Sequence, residues 1–128
     1  MTTVPLTLEE IFHLAKKTLI AHGCDEETAD TLSTLIKNAE RDGSLSHGLF
    51  RLPAYISGLK SGKINGKARP VISKLTASVV KADGKNSLAP MVLKYGIPEL
   101  VKAAKENGVA VLAITNSHHM AAMWPETE

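Results

Sequence analysis

The chain has 128 residues, of which 44% are hydrophobic, and a formal net charge of +2 at pH 7. That length suits one domain or a piece of one, because two separate cores would each be small. Lysines are scattered among glutamates rather than gathered in a block, which argues against a dedicated nucleic-acid surface. No apolar run is long enough to cross a bilayer and the N-terminus lacks the regions of a signal peptide, so we expect a cytoplasmic protein.

Two amphipathic helices are predicted at the start of the chain. Thr7-Leu-Glu-Glu10 has the pattern of a capping box, and apolar residues then recur every three or four positions until Gly23. Asp25 is expected to begin a second helix, because the two glutamates after it suit the positive end of the helix dipole. Gly43 is expected to end that helix.

A third helical pattern runs from Gly48 to Leu59 and contains Pro53. Proline lacks the N–H that a helix interior needs, so either the helix starts near Pro53 or it is kinked there. The stretch 61–70 is rich in turn-forming residues and has no periodicity, which indicates a connecting loop.

The second half of the sequence combines short strands with one more helical pattern. Alternation over 71–80, with Asp83-Gly84 as a turn signal, predicts one or two strands. A helix is predicted over about 90–107, with a bend or a division into two helices at Pro98. The apolar run 109–115 predicts a strand covered on both faces.

These elements predict an α+β fold. A helical segment over residues 1–62 would be followed by a mixed segment over 63–128, with short strands and a buried strand. The sequence has no Gly-x-Gly-x-x-Gly after a strand, no phosphate-binding loop and no metal-ligand spacing. We therefore expect neither a Rossmann domain nor a bound metal.

One short stretch carries groups that could transfer a proton and bind an anion. His47 could donate a proton, and the hydroxyl of Ser46 beside it could orient or relay that proton. Arg51, one helical turn further on, could hold a carboxylate with its planar fork of donors. The alternative is structural, with Ser46 as a helix cap, His47 exposed and Arg51 as a surface charge.

A second stretch, Asn116-Ser-His-His119, follows the predicted buried strand. Ligands often bind beyond the carboxyl ends of strands in sheets that helices flank, and the small residues Ala121 and Ala122 would let a bulky cofactor approach the backbone. The alternative is a loop in which Asn and Ser satisfy their own backbone and the apolar residues of 120–124 simply pack.

The two stretches together resemble the malate/L-lactate dehydrogenase family. The resemblance is carried by Ser-His-Gly-x-x-Arg-Leu-Pro at 46–53 and by Asn-Ser-His-His-Met-Ala-Ala-Met-Trp-Pro at 116–125, and it spans essentially the whole chain. It implies a fold that is not a Rossmann domain and an enzyme that reduces 2-oxo acids or cyclic imino acids with NADPH or NADH. The second element is most similar to the branch that reduces Δ1-piperideine-2-carboxylate and Δ1-pyrroline-2-carboxylate.

The resemblance also implies roles for individual residues. His47 corresponds to the proton donor, Ser46 to a member of its proton relay, and Arg51 to the residue that binds the substrate carboxylate. The expected contacts to the nicotinamide cofactor lie in one segment, which comprises His119, Met120, Ala121, Ala122 and Met123.

Members of the family continue well beyond the length of this chain. The further residues complete the cofactor domain and supply an aspartate of the relay, so we expect 63–128 to be the start of that domain and the chain alone to have little or no activity. A homodimer or a complementing C-terminal fragment is the expected partner. A different interpretation is a non-catalytic interaction module that uses an exposed apolar patch.

Overall fold

A computed structural model describes residues 3–119. Residues 3–62 form a helical half, and residues 63–119 form a sheet half, in which one further helix lies between two strands of a small mixed sheet. The class is α+β, as predicted. Two 3-10 turns, Leu45–His47 and Leu49–Arg51, lie between the second and third α-helices. The other elements are, in chain order, α1 (Leu8–Ala21), α2 (Glu26–Arg41), α3 (Leu52–Lys60), β1 (Val71–Lys74), β2 (Val79–Leu88), α4 (Ala89–Asn107) and β3 (Val111–His118).

The first two helices begin and end where the sequence predicts. The Thr7 hydroxyl accepts the backbone N–H of Glu10 at 3.2 Å, and the Glu10 carboxylate accepts the N–H of Thr7 at 2.7 Å, which completes the capping box. The Asp25 carboxylate accepts the Thr28 N–H at 3.0 Å and caps α2. Gly23 follows α1 with a φ of +106°, a conformation that glycine adopts without steric cost.

The helical pattern after Gly48 is not one helix. Pro53 lies in the first turn of α3, where its missing N–H costs nothing, so the first of the two predicted alternatives is confirmed. Gly48 ends one 3-10 turn and begins the next. The expectation that Arg51 lies one helical turn beyond His47 is therefore wrong, because Gly48 interrupts the helical path between them.

The hydrophobic core lies among α1, α2 and α3. Leu19, Leu32 and Ile36 are completely shielded from solvent in it. Ile64 and Leu88 belong to the same core, so the packing of the helical half continues past residue 62. A domain boundary at residue 62 stays a prediction.

An ion-pair cluster joins the first turn of α2 to the connecting loop and to α4. The Arg69 guanidinium contacts the carboxylates of Asp25 at 2.7 Å and Glu27 at 2.8 Å. Lys94 and the hydroxyl of Tyr95, both on α4, contact Glu27 at 2.8 and 3.1 Å. The hydrogen bond from Lys94 holds the pKa of Glu27 below its usual value. The cluster therefore links the helical half to the sheet half.

The sheet has the order β1-β2-β3, with β2 antiparallel to β1 and parallel to β3. The connection from β2 to β3 is α4, which packs closely on the sheet: a Cβ on Gly96 would lie within 3.1 Å of both methyl carbons of Leu112. Pro98 lies inside this single helix, so the predicted division into two helices is wrong. The Pro98 ring is exposed, where water can reach the carbonyl that loses its hydrogen bond.

The turn predicted at Asp83-Gly84 lies inside β2 instead. The hairpin between β1 and β2 is made by residues 75–78. Asp83 still bonds the backbone two residues on, since its carboxylate accepts the Lys85 N–H at 3.1 Å. Lys85 and Asn86 have positive φ angles of 51° and 63°, and the register with β3 shifts there, so the aspartate forms a bulge rather than a turn.

The strand predicted over 109–115 is β3, but it is not covered on both faces. It lies at the sheet edge, none of its residues is buried, and the side chains of Val111 and Ile114 are 55% and 37% exposed. The central strand β2 holds the buried positions, among them Val80 and Ala82. The prediction of a strand is therefore confirmed, and the prediction that both of its faces are covered is wrong. Whether a strand is covered depends on neighbours, which the described residues do not supply.

Within residues 3–119, no helix combines the length and the apolar character needed to span a membrane.

Candidate active site

The structure brings Ser46 and His47 into contact. The Ser46 hydroxyl lies 3.0 Å from Nδ1 of His47, and the hydroxyl of Ser44 lies 3.3 Å from the same nitrogen. Ser46 is exposed and His47 is half-buried. Two hydroxyls at one ring nitrogen restrict the rotation of the imidazole and can exchange a proton with it. The sequence did not point to Ser44, although its place two residues before Ser46 is a usable signal.

Arg51 follows in the second 3-10 turn. Its guanidinium carbon lies 5.9 Å from the centre of the Phe50 ring, which supports the planar group from one side. Its Nε is buried and has no hydrogen-bond partner among the described residues. A buried donor of this kind is costly unless a ligand satisfies it, and a carboxylate is the ligand that a guanidinium fork fits. Burial raises the pKa of the neighbouring Tyr55 to about 12, so that hydroxyl keeps its proton at neutral pH.

A carboxylate from α2 reaches the turn that carries these residues. Oε1 of Glu40 accepts the backbone N–H of Leu49 at 2.8 Å. Gly48 packs directly against this carboxylate, since an added Cβ would lie within 2.7 Å of three atoms of the Glu40 side chain. Sequence reasoning missed Glu40 because its contact spans nine residues and no local rule connects them.

The second predicted stretch, Asn116 to His119, lies beside β2. Asn116, Ser117 and His118 belong to β3 itself, whereas the sequence placed them in a loop after it. Asn116 has a φ of +50°, and its side-chain amide donates to Asp83 at 3.0 Å. The hydrogen bonds from Lys85 and Asn116 hold the pKa of Asp83 far below its usual value.

Two buried hydroxyls lie beside this strand end. Ser87 and Ser117 are register partners in the parallel ladder, so their side chains point to the same face of the sheet. Neither hydroxyl has a hydrogen-bond partner among the described residues. Such orphaned groups fit a polar ligand, as an amide or phosphate of a nicotinamide cofactor would be. His119 lies exposed just after β3, and the other predicted cofactor residues, Met120, Ala121, Ala122 and Met123, lie outside the described residues.

A cleft of about 360 Å³ lies elsewhere, between β1 and α4. Its walls include Lys74, Tyr95 and Glu99, and none of its lining residues is a predicted site residue. The candidate site is assigned to the His47–Arg51 segment nevertheless, because a proton-transfer group and an anion-binding group lie in consecutive 3-10 turns there.

Comparison with known proteins identifies the family. The family model for malate/L-lactate dehydrogenase matches residues 6–128. A Δ1-pyrroline-2-carboxylate/Δ1-piperideine-2-carboxylate reductase of Pseudomonas syringae pv. tomato is 40% identical over 126 residues, which cover 98% of this chain and 37% of that protein. The corresponding reductase of Pseudomonas putida is 41% identical over 127 residues, with 99% and 37% covered.

Solved structures agree with the sequence comparison. The crystal structure of Δ1-piperideine-2-carboxylate reductase from Pseudomonas syringae matches with a TM-score of 0.90 at 40% identity, over 97% of this chain and 37% of that one. A malate dehydrogenase from Entamoeba histolytica matches with a TM-score of 0.83 at 27% identity, over 94% and 34%. The chain therefore has the fold of the N-terminal part of these enzymes and spans 37% of the length of the curated relatives named above.

Proposed function

The chain belongs to the malate/L-lactate dehydrogenase family of oxidoreductases, and we propose that it is the N-terminal part of an NADPH- or NADH-dependent reductase of cyclic imino acids. The observation that carries the proposal is the pair of groups in the 46–51 segment. Nδ1 of His47 lies 3.0 Å from the Ser46 hydroxyl, and the buried Nε of Arg51 has no hydrogen-bond partner within residues 3–119. The relatives' names supply the substrate class, Δ1-pyrroline-2-carboxylate and Δ1-piperideine-2-carboxylate.

Arg51 binds and orients the substrate. These imino acids carry a carboxylate on the carbon that is reduced, so a guanidinium that holds the carboxylate fixes the position of that carbon. The Phe50 ring beside the guanidinium limits its movement, and the buried Nε gains an acceptor that residues 3–119 do not supply. The binding of the carboxylate to Arg51 thereby orients the C=N bond.

His47 supplies the proton. With Nδ1 held by the hydroxyls of Ser44 and Ser46, the imidazolium would donate through Nε2 to the imine nitrogen as that nitrogen gains electron density. A bound nicotinamide cofactor supplies the hydride. Ser87, Ser117 and the segment His119 to Met123 would contact that cofactor. By the resemblance, an aspartate outside this sequence would complete the relay.

We propose that the chain is inactive by itself and acts in the cytoplasm with a partner. The exposed edge of β3 supports a partner that adds further sheet and helix, because an open edge presents unpaired backbone groups and exposed apolar side chains. A complementing C-terminal segment of the family fold is that partner, and a homodimer is a second form of assembly.

A chimera tests the proposal. The 126 residues of the Pseudomonas syringae reductase that align with this chain would be replaced by the chain, and NADPH oxidation would be followed at fixed concentrations of Δ1-pyrroline-2-carboxylate, Δ1-piperideine-2-carboxylate and pyruvate. We expect turnover of the two cyclic imines, a loss of about 100-fold or more in kcat with His47→Ala, and unchanged turnover with the exposed-site control His13→Ala.

The other outcomes separate the alternatives. Preferred turnover of pyruvate would replace the imine reductase with a 2-oxo acid dehydrogenase. A chimera that binds NADPH and reduces no substrate would contradict both enzymatic assignments. It would favour the non-catalytic module, for which the exposed Val109 and Val111 are the supporting observation.

A further inference from the structure

The two 3-10 turns that carry His47 and Arg51 have no side-chain caps of their own. Neither 3-10 turn is capped by the side chain before it, and α3 has no side-chain cap either. A helix start normally gains such a hydrogen bond from the residue at its N-cap, and Ser44, Gly48 and Arg51 do not supply it here. The missing acceptor comes from α2, where the Glu40 carboxylate takes the Leu49 N–H at 2.8 Å.

One peptide group is held at both ends by this arrangement. The N–H of Leu49 donates to Glu40, and the carbonyl of the same peptide unit, which belongs to Gly48, accepts the Arg51 N–H at 3.0 Å. His47 ends the 3-10 turn before this peptide unit, and Arg51 ends the 3-10 turn after it. The orientation of both side chains therefore depends on the plane of a peptide that Glu40 fixes from outside the turn.

Glu40 is well placed to act as this fixed point. It lies in the last turn of α2, whose neighbouring residue Ala39 is buried in the core. The Ala39 carbonyl accepts the Ser44 N–H at 2.8 Å, so the chain just before the turn is anchored to the same end of α2. Gly48 completes the fit, because any side chain there would displace the Glu40 carboxylate from the Leu49 N–H.

We propose that Glu40 is a positioning residue, which sets the orientation of His47 and Arg51 through the Gly48–Leu49 peptide without touching the substrate. The hydrogen bond, the close packing of Gly48 and the absence of a local cap point to this role together. The consequence for catalysis rests on the proposed reductase function, whereas the effect on the turn does not.

The first test measures the turn in the 128-residue chain itself. Amide hydrogen exchange and backbone order parameters of 48–51 would be recorded by NMR for wild type, Glu40→Ala, Glu40→Gln and the exposed control Glu99→Ala. We expect exchange at Leu49 to be about tenfold faster in Glu40→Ala. Glu40→Gln should recover most of the protection, because its amide oxygen still accepts the bond. Equal exchange at Leu49 in wild type and Glu40→Ala overturns the proposal.

The second test uses the chimera described above. Glu40→Ala should lower kcat/KM for Δ1-piperideine-2-carboxylate by about 100-fold, since small displacements of catalytic groups cost that much, while the Kd for NADPH stays unchanged. Glu40→Gln should remain within about fivefold of wild type. A wild-type kcat/KM in Glu40→Ala overturns the positioning role. An inactive unsubstituted chimera contradicts the reductase proposal instead, and the exchange data then decide the role of Glu40.

Gly48→Ala provides an independent check. We expect it to reproduce the faster Leu49 exchange of Glu40→Ala, because the added methyl group displaces the carboxylate. Exchange at Leu49 should be no faster in the double variant than in either single variant, since both changes remove the same hydrogen bond. Additive effects on Leu49 exchange would mean that Gly48 does not act through Glu40 and would contradict the proposed arrangement.

Discussion

The second helix, α2, and the edge strand, β3, differ in how completely they bury their apolar residues. Leu32 and Ile36 in α2 are fully buried. In β3, by contrast, Val111 and Ile114 keep a third or more of their surface exposed. The sequence of β3 is no less apolar than that of α2, so the difference comes from packing neighbours and not from composition.

This difference shows where the free energy of folding of the chain originates. Burial of apolar surface is the main stabilising contribution, and α2 supplies more of it than β3 does. The Leu49–Arg51 turn is attached to α2 through Glu40. The strand end at Asn116–His119 depends instead on the bulge at Asp83 and on an edge that other residues would have to cover.

The strongest test of this comparison is the same substitution, isoleucine to alanine, made once in α2 and once in β3. Ile36→Ala should lower the free energy of unfolding by about 2–5 kcal/mol, because it leaves a cavity in a closed core. Ile114→Ala removes the same atoms from the exposed edge and should cost less than about 1 kcal/mol. Urea unfolding followed by circular dichroism would measure both. Equal losses would mean that β3 is packed as tightly as α2.

Loss of the ion pairs that link the two halves should have the next largest effect on the free energy of unfolding. Arg69→Met should lower the free energy of unfolding by about 1 kcal/mol, because the Arg69 ion pairs with Asp25 and Glu27 are partly exposed and screened by solvent. Lys74→Met, at an exposed pair whose atoms lie 3.5 Å apart, is the matched control and should have little effect. The Arg69 effect should shrink in high salt, and an effect that is independent of salt would argue against an ionic link.

The smallest effect concerns pH and the strand end. The pKa of Asp83 is lowered in the folded chain by Lys85 and Asn116, so its contribution to stability is present above the pKa of 3.8 that an unperturbed aspartate has and is lost as the pH falls below it. We expect Asp83→Asn to be less stable than wild type at pH 7. The difference between the two should begin to shrink only below about pH 4 and should continue to shrink down to pH 2, as urea unfolding across that range would show. A stability difference that grows on acidification would give the opposite sign and contradict the proposed interactions of Asp83.

Local signals account for what the sequence predicted. The capping box at Thr7, the cap at Asp25 and the glycine after each helix are contained in a few neighbouring residues, so they could be recognised without knowledge of the fold. The bulge at Asp83 and the exposure of β3 could not. An Asp-Gly pair has the same local chemistry in a turn and in a bulge, and the exposure of a strand depends on which neighbours cover it.

The candidate site shows the same division. Ser46 and His47 are adjacent in sequence, and their contact was predicted from that adjacency. The expectation that Arg51 lies one helical turn beyond His47 was wrong, because the spacing rule assumes a continuous helix and Gly48 interrupts it. Glu40 was missed because its partner lies on another element, and only the folded arrangement brings a carboxylate of α2 to that turn.

The most direct test of the account is a titration of the ¹⁵N-labelled chain with Δ1-piperideine-2-carboxylate, followed by NMR. If the helical half already holds a substrate-binding turn in position, the shifts should concentrate at His47 and Arg51 and disappear in Arg51→Met. A folded chain whose shifts lie in the cleft between β1 and α4, or that shows none at all, would contradict the central claim.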